Sequence, residues 1–90
     1  SATIKGTLEE LRMKTIYKEQ YRQIGLKIAY YRKFRGLTQE ELAEQVGVTP
    51  AFIGHLEAPN ISKALSLDTL FDIASVLEVS PHKFLCFEDP

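Results

Sequence analysis

Ninety residues suffice for one hydrophobic core and not for two, and 44% hydrophobic with 26% charged residues, 5 Gly and 4 Pro excludes collagen-like, low-complexity and disordered chains. A single cysteine, Cys86, excludes an intrachain disulfide and fits a reducing compartment. No apolar run approaches the roughly 18 residues of a membrane span, and no basic start leads into one as in a signal peptide, so the sequence reads as that of a soluble intracellular protein. The net charge of −1 hides an asymmetry: residues 1–36 hold nine Lys and Arg against three Glu, whereas residues 37–90 hold two Lys against nine acids. Such a distribution serves either a basic surface for an anionic partner or a solvated helix face.

The apolar spacing is helical nearly throughout, and no segment alternates over a useful length, so the expected fold class is all-α. Residues 1–16 read as an N-terminal extension, in which Thr7 and Glu10 have capping-box spacing and predict a helical turn or two over 8–15. The domain proper, 17–90, opens with a helix over 17–35, where Tyr17, Tyr21, Ile24, Ile28 and Tyr31 step by three or four before Gly36 stops it. Four helix starts of one design follow: an apolar residue, a Thr or Ser N-cap, and a second apolar residue four positions into the helix. They are Leu37, Thr38, Leu42; Val48, Thr49, Ile53; Leu65, Ser66, Leu70; and Val79, Ser80, Phe84. Pro50 and Pro81 stand at first helical positions, and Thr38 with Glu41 completes a capping box. The spacing therefore predicts helices over 39–46, 50–57, 67–78 and 81–87, giving a bundle of five. Helix 67–78 is apolar around most of its circumference and is expected at the centre.

The stretch 39–58, QEELAEQVGVTPAFIGHLEA, carries the most information. Two eight-residue helices separated by three residues share one core only if they cross steeply, and their turn needs a left-handed residue, which Gly47 supplies. Steep crossing also calls for a small side chain at Ala43, with Leu42, Val46, Val48, Ile53 and Leu56 turned inward. That set defines a helix-turn-helix, although the same apolar positions also serve other three-helix corners.

From IGLKIAYYRKFRGLTQEELAEQVGVTPAFIGHLE through SLDTLFDIASVLEVSPHKFL, residues 24–85, the sequence resembles the Cro and phage-repressor family of helix-turn-helix proteins, also called the xenobiotic-response-element type. The resemblance implies a five-helix repressor-like domain and a cytoplasmic, nucleoid-associated regulator of bacterial or phage transcription. Its recognition helix, here 50–57, would enter the major groove of double-stranded DNA while helix 39–46 lies across the backbone. It further implies that Gln39 contacts a phosphate, that Arg32 and Glu57 form a partly buried ion pair, and that Pro50, Ala51, Phe52 and His55 face the bases. The cap residues Thr38 and Thr49 share that DNA-facing side. A carboxylate at a helix end opposes the helix dipole, which independently calls for a cation near Glu57.

The chain departs from the family at the reading positions, where no Arg, Lys, Asn or Gln stands. Bidentate readout is excluded there, leaving apolar contact by Ala51 and Phe52 and one hydrogen bond from His55, so weak base selectivity is expected. Gly54, inside the same helix, costs about 1 kcal/mol relative to Ala. The following loop lacks the family's glycine and basic residues and is two residues longer, with Asn60, Ser62 and Lys63 as its phosphate-binding candidates. At the C-terminus Val79, Phe84, Leu85 and Phe87 exceed what one face of a short helix buries, so Phe84 and Phe87 are expected at a homodimer interface, with Phe87 as the exposed anchor.

Catalysis is not expected. His82 and Cys86 make two metal ligands without a third, and the sequence has no phosphate-binding glycine loop, paired carboxylates or partnered nucleophile. No metal, cofactor, small-molecule ligand or membrane partner is indicated. The alternative to DNA binding is a protein-interaction module that keeps the helix-turn-helix fold and docks through Phe52; the acidic second half of the chain favours it, and the intact helix-turn-helix spacing opposes it.

Overall fold

The computed structural model describes residues 16–61 and 63–87. In them, α1 (Lys18–Phe34), α2 (Gln39–Val46), α3 (Pro50–Glu57) and α4 (Leu67–Leu77) are followed by a 3-10 turn, Pro81–Phe84, and no strand occurs among the described residues. The capping-box pair Thr7 and Glu10, with the helical turns it predicts over 8–15, lies outside the described residues.

The helix boundaries follow local chemistry. Gly36, at φ 74, lets the chain leave α1 as its own N–H bonds Lys33 O and the Leu37 N–H bonds Arg32 O. The Thr38 hydroxyl then accepts from the Glu41 N–H at 3.0 Å while the Glu41 carboxylate accepts from the Thr38 N–H at 2.8 Å, a complete capping box. Thr49 caps α3 by accepting from the Phe52 N–H at 3.1 Å, and Ser66 caps α4 by accepting from the Thr69 N–H at 3.1 Å.

The fourth start differs from the other three. Ser80 makes no side-chain cap, and the helix expected over 81–87 is a four-residue 3-10 turn. The Leu85 N–H bonds back to His82 O at 3.0 Å, and the tighter winding suits a segment whose one buried side chain is Phe84.

The core draws Ile24 and Ile28 from α1, Leu42 and Ala43 from α2, Ile53 and Leu56 from α3, four residues of α4, and Phe84. Helix α4 is not the central helix that its composition predicts. It buries Leu70, Ile73, Ala74 and Leu77, while Leu67 and Phe71 remain 60% and 49% exposed, because a bundle this small offers α4 neighbours on one face only. The tightest approach joins α1 to α3 at Gly25, where a Cβ would lie 1.7 Å from the backbone oxygen of Leu56. A glycine is required there so that two helix backbones can touch.

Candidate nucleic-acid interface

Helices α2 and α3 meet at Gly47, whose φ of 90° and ψ of 30° place it in the left-handed region. The N–H groups of Gly47 and Val48 both donate to Ala43 O, at 2.8 and 3.0 Å, closing α2 and turning the chain directly into the α3 cap. Leu42, Ala43 and Ile53 are fully buried beneath the corner, Leu56 nearly so, and Val46 and Val48 are half-buried at its edge.

A buried polar bridge fixes this corner to α1. Arg32 donates from Nε to Glu57 Oε2 at 2.7 Å and from Nη2 to Glu57 Oε1 at 2.8 Å, and its Nη1 donates to Leu37 O at 2.7 Å. Gln39 Nε2 donates to the same Glu57 Oε1 at 3.0 Å. One carboxylate thus joins the last turn of α1, the start of α2 and the end of α3. Its fork of hydrogen bonds holds the Arg32 guanidinium above its ordinary pKa, against the opposing effect of burial. Both residues are 8% exposed, and the Arg32 charge offsets a carboxylate that would otherwise face the negative end of the α3 dipole.

Around this bridge the site residues fall into two groups. Thr38, Thr49, Pro50, Ala51 and His55 are exposed at the α2 and α3 surface, and Gln39 and Phe52 are half-buried beside them. Asn60 and Lys63 are exposed in the loop after α3, and Ser62 lies outside the described residues. The Lys63 ammonium sits 5.6 Å from the centroid of the Phe52 ring, so the loop's one cation is carried back onto α3. Sequence reasoning missed that contact, since no periodicity links a helix residue to a loop residue whose path is irregular. It also missed Gly25, for which the signal was available: a glycine in mid-helix costs about 1 kcal/mol and needs a packing reason.

At the C-terminal end the structure corrects one assignment. Phe84 is fully buried, its ring edge-on to Tyr31 at 5.6 Å, and therefore presents no surface to a second copy. Phe87 is half-buried against the core, and the exposed apolar groups that line a groove with it are Tyr17, Leu67 and Leu85.

Comparison with known proteins gives a consistent picture. A family model described as helix-turn-helix matches residues 28–84. The HTH-type transcriptional regulator SinR of Bacillus licheniformis is 36% identical over 66 residues, which cover 73% of this chain and 59% of that protein. The regulator of the same name from Bacillus subtilis (strain 168) is 37% identical over 62 residues, covering 69% of this chain and 55% of that one. Among solved structures, the SinR protein/SinI protein complex contains a chain that superposes with a TM-score of 0.65 at 36% identity, covering 71% of this chain and 61% of its own. The chain thus spans rather more than half the length of these relatives. No helix among the described residues is long and apolar enough to cross a membrane.

Proposed function

This chain belongs to the helix-turn-helix family, and we propose that it is a DNA-binding transcriptional regulator that lays α3 in the major groove of double-stranded DNA with α2 across the backbone. The observation that carries this reading is the Arg32, Glu57 and Gln39 bridge, which locks the α2–α3 corner to α1 while Thr38, Thr49, Pro50, Ala51 and His55 stay exposed. Thr38, Gln39, Thr49, Asn60, Ser62 and Lys63 contact phosphate oxygens, Pro50 and Ala51 approach the groove floor, Phe52 meets thymine methyls and His55 supplies one hydrogen bond. Position is strongly specified and base chemistry weakly, so affinity comes chiefly from the backbone and selectivity from DNA shape.

The functional unit is the domain 17–90, with 1–16 an extension to it. It acts in the bacterial or phage cytoplasm as a homodimer, without catalytic chemistry. The dimer face is the apolar end of the domain, where Leu67 and Leu85 are 60% and 44% exposed and line a groove with Phe87, Tyr17 and Leu70. Pairing two such ends about a two-fold axis covers them and sets the recognition helices about 34 Å apart, one turn of DNA.

The test is retention of a genomic fragment pool on the immobilised protein at rising salt. Retention should fall steeply between about 50 and 200 mM salt, as phosphate contacts demand, with little enrichment of any one sequence. Failure to retain DNA at the lowest salt refutes the reading.

A further inference from the structure

The DNA-binding reading leaves one face of α1 unused. Ile24, Gly25, Ile28 and Arg32 turn into the molecule. Leu26, Tyr30 and Phe34 recur every fourth residue on the other side and are 41%, 63% and 72% exposed. At roughly 100° per residue the two faces lie nearly opposite one another. The outer ridge is about 12 Å long, two helical turns; Arg22 and Lys33 flank it on one side and Lys27 on the other, and its acids stand at the two ends, Glu19 two turns before Leu26 and Glu78 in the hollow beside Tyr30 and Phe34. Arg22 is paired with Glu19 at the start of the helix, whereas Lys27 and Lys33 form no ion pair among the described residues.

The exposed rings are held in place. Tyr30 stands edge-on to Tyr31 at 5.0 Å, and Tyr31 is in turn edge-on to buried Phe84 at 5.6 Å. Phe34 lies 5.8 Å from the guanidinium of Arg35, which is itself fixed by donating to Leu77 O at 2.6 Å and Glu78 O at 3.0 Å. An aromatic ring already fixed loses little side-chain entropy on contact, which is the property of a binding anchor.

We propose that this outer face of α1 is a docking surface for an acidic amphipathic helix of a partner protein. Leu26, Tyr30 and Phe34 enter the apolar face of that helix, and Lys27 and Lys33 meet carboxylates along its edges. Charge selects this occupant. A second copy presenting the same face would set lysine against lysine, and a nucleic-acid backbone would satisfy the lysines while leaving Leu26 and Phe34 without apolar cover. Because the ridge lies opposite α3, the partner and DNA bind at the same time.

The probe is a labelled helical peptide of about 18 residues with Leu at i, i+3, i+4 and i+7 and Glu at the flanking positions, compared by fluorescence anisotropy with the same peptide carrying Lys for Glu. The Glu peptide should bind saturably, and the Lys peptide at least about tenfold more weakly. Tyr30→Ser with Phe34→Ser, and separately Lys27→Glu with Lys33→Glu, should each weaken the Glu peptide by about tenfold or more, and the first, uncharged pair should do so with DNA retention unchanged. Equal binding of the two peptides, or insensitivity to both double variants, overturns the proposal. So does self-association, or binding to anionic vesicles or single-stranded DNA, that the Tyr30→Ser, Phe34→Ser variant abolishes in place of peptide binding.

Discussion

Replacing Gly25 by alanine should destabilise the domain, although the same change in an exposed helix interior stabilises a protein by about 1 kcal/mol. A Cβ at this position lies 1.7 Å from Leu56 O and 2.9 Å from Leu56 C, both backbone atoms that no side-chain rotation can move. An ordinary carbon to oxygen contact is about 3.3 Å or more, so α1 and α3 must separate by about 1.6 Å, roughly two thirds of the radius of a helix backbone. That opens the packing of Ile24 and Ile28 against Ile53 and Leu56, and stretches the 2.7 and 2.8 Å bonds between Arg32 and Glu57. Overpacking of this kind costs about 1–3 kcal/mol, and more where backbone must shift. The upper end applies here, leaving a net loss of about 2 kcal/mol after the helix-propensity gain. For a domain of this size that lowers Tm by roughly 8–16 °C. Gly54→Ala supplies the matched control, because its Cβ meets only Gln39 Oε1 at 3.6 Å and should raise Tm by about 4–8 °C. Thermal melts followed by circular dichroism decide the matter. A Gly25→Ala protein that melts at or above the wild-type temperature refutes the close crossing of α1 and α3.

Three further outcomes follow from the same geometry. Arg32→Ala leaves Glu57 as an uncompensated buried carboxylate and should cost about 3–5 kcal/mol, whereas exchanging both partners for apolar residues of similar volume should cost far less; equal losses in the two melts would show that the pair acts only by filling space. The Glu19 carboxyl, held down to about 2 by hydrogen bonds from Arg22 and then Gln23, remains ionised where a free glutamate, near 4.5, takes up its proton. Its contribution to the first turns of α1 is thus complete above pH 4.5 and is lost as pH falls toward 2, and a carboxyl NMR titration with its midpoint near 4.5 would contradict the contact. Sedimentation should show a wild-type dimer at micromolar concentration, weakened by Phe87→Ser and by Leu85→Ser, and a wild-type monomer would remove the C-terminal dimer face.

Most of the fold was legible because its punctuation is local. Thr38, Thr49 and Ser66 each cap the helix that follows, and Gly36 and Gly47 each take the left-handed turn, so the spans 39–46 and 50–57 could be read from residues adjacent to them. Where neighbours across the fold decide, the reading failed. The composition of α4 could not say that Leu67 and Phe71 would find no cover, and the staple of Val79 and Phe84 could not distinguish a 3-10 turn from an α-helix. The site shows the same division. The need of Glu57 for a cation follows from helix dipoles, but the third member of the bridge, Gln39, and the seat of Lys63 on Phe52 depend on distances between elements that the sequence does not contain.

The bridge also bears on how the corner can work with so few base readers. A readout helix that relies on bidentate side chains tolerates some slack, because the hydrogen bonds themselves select the docked orientation. A helix offering Pro50, Ala51, Phe52 and His55 has no such correction available, so its depth and angle in a groove must be set by the scaffold before contact. Three constraints do this: the missing Cβ at Gly25 sets the distance between α1 and α3, the Arg32 and Glu57 fork sets the position of the α3 end, and the Gln39 amide ties the start of α2 to the same carboxylate. On the proposed DNA-binding reading, position fixed in advance would let backbone contacts from α2 and the loop report the shape of the duplex, and the energy of deforming an ill-fitting sequence would supply the discrimination that the side chains lack. Loosening any one of the three constraints should therefore cost selectivity as well as affinity, although none of the four residues involved need touch a base.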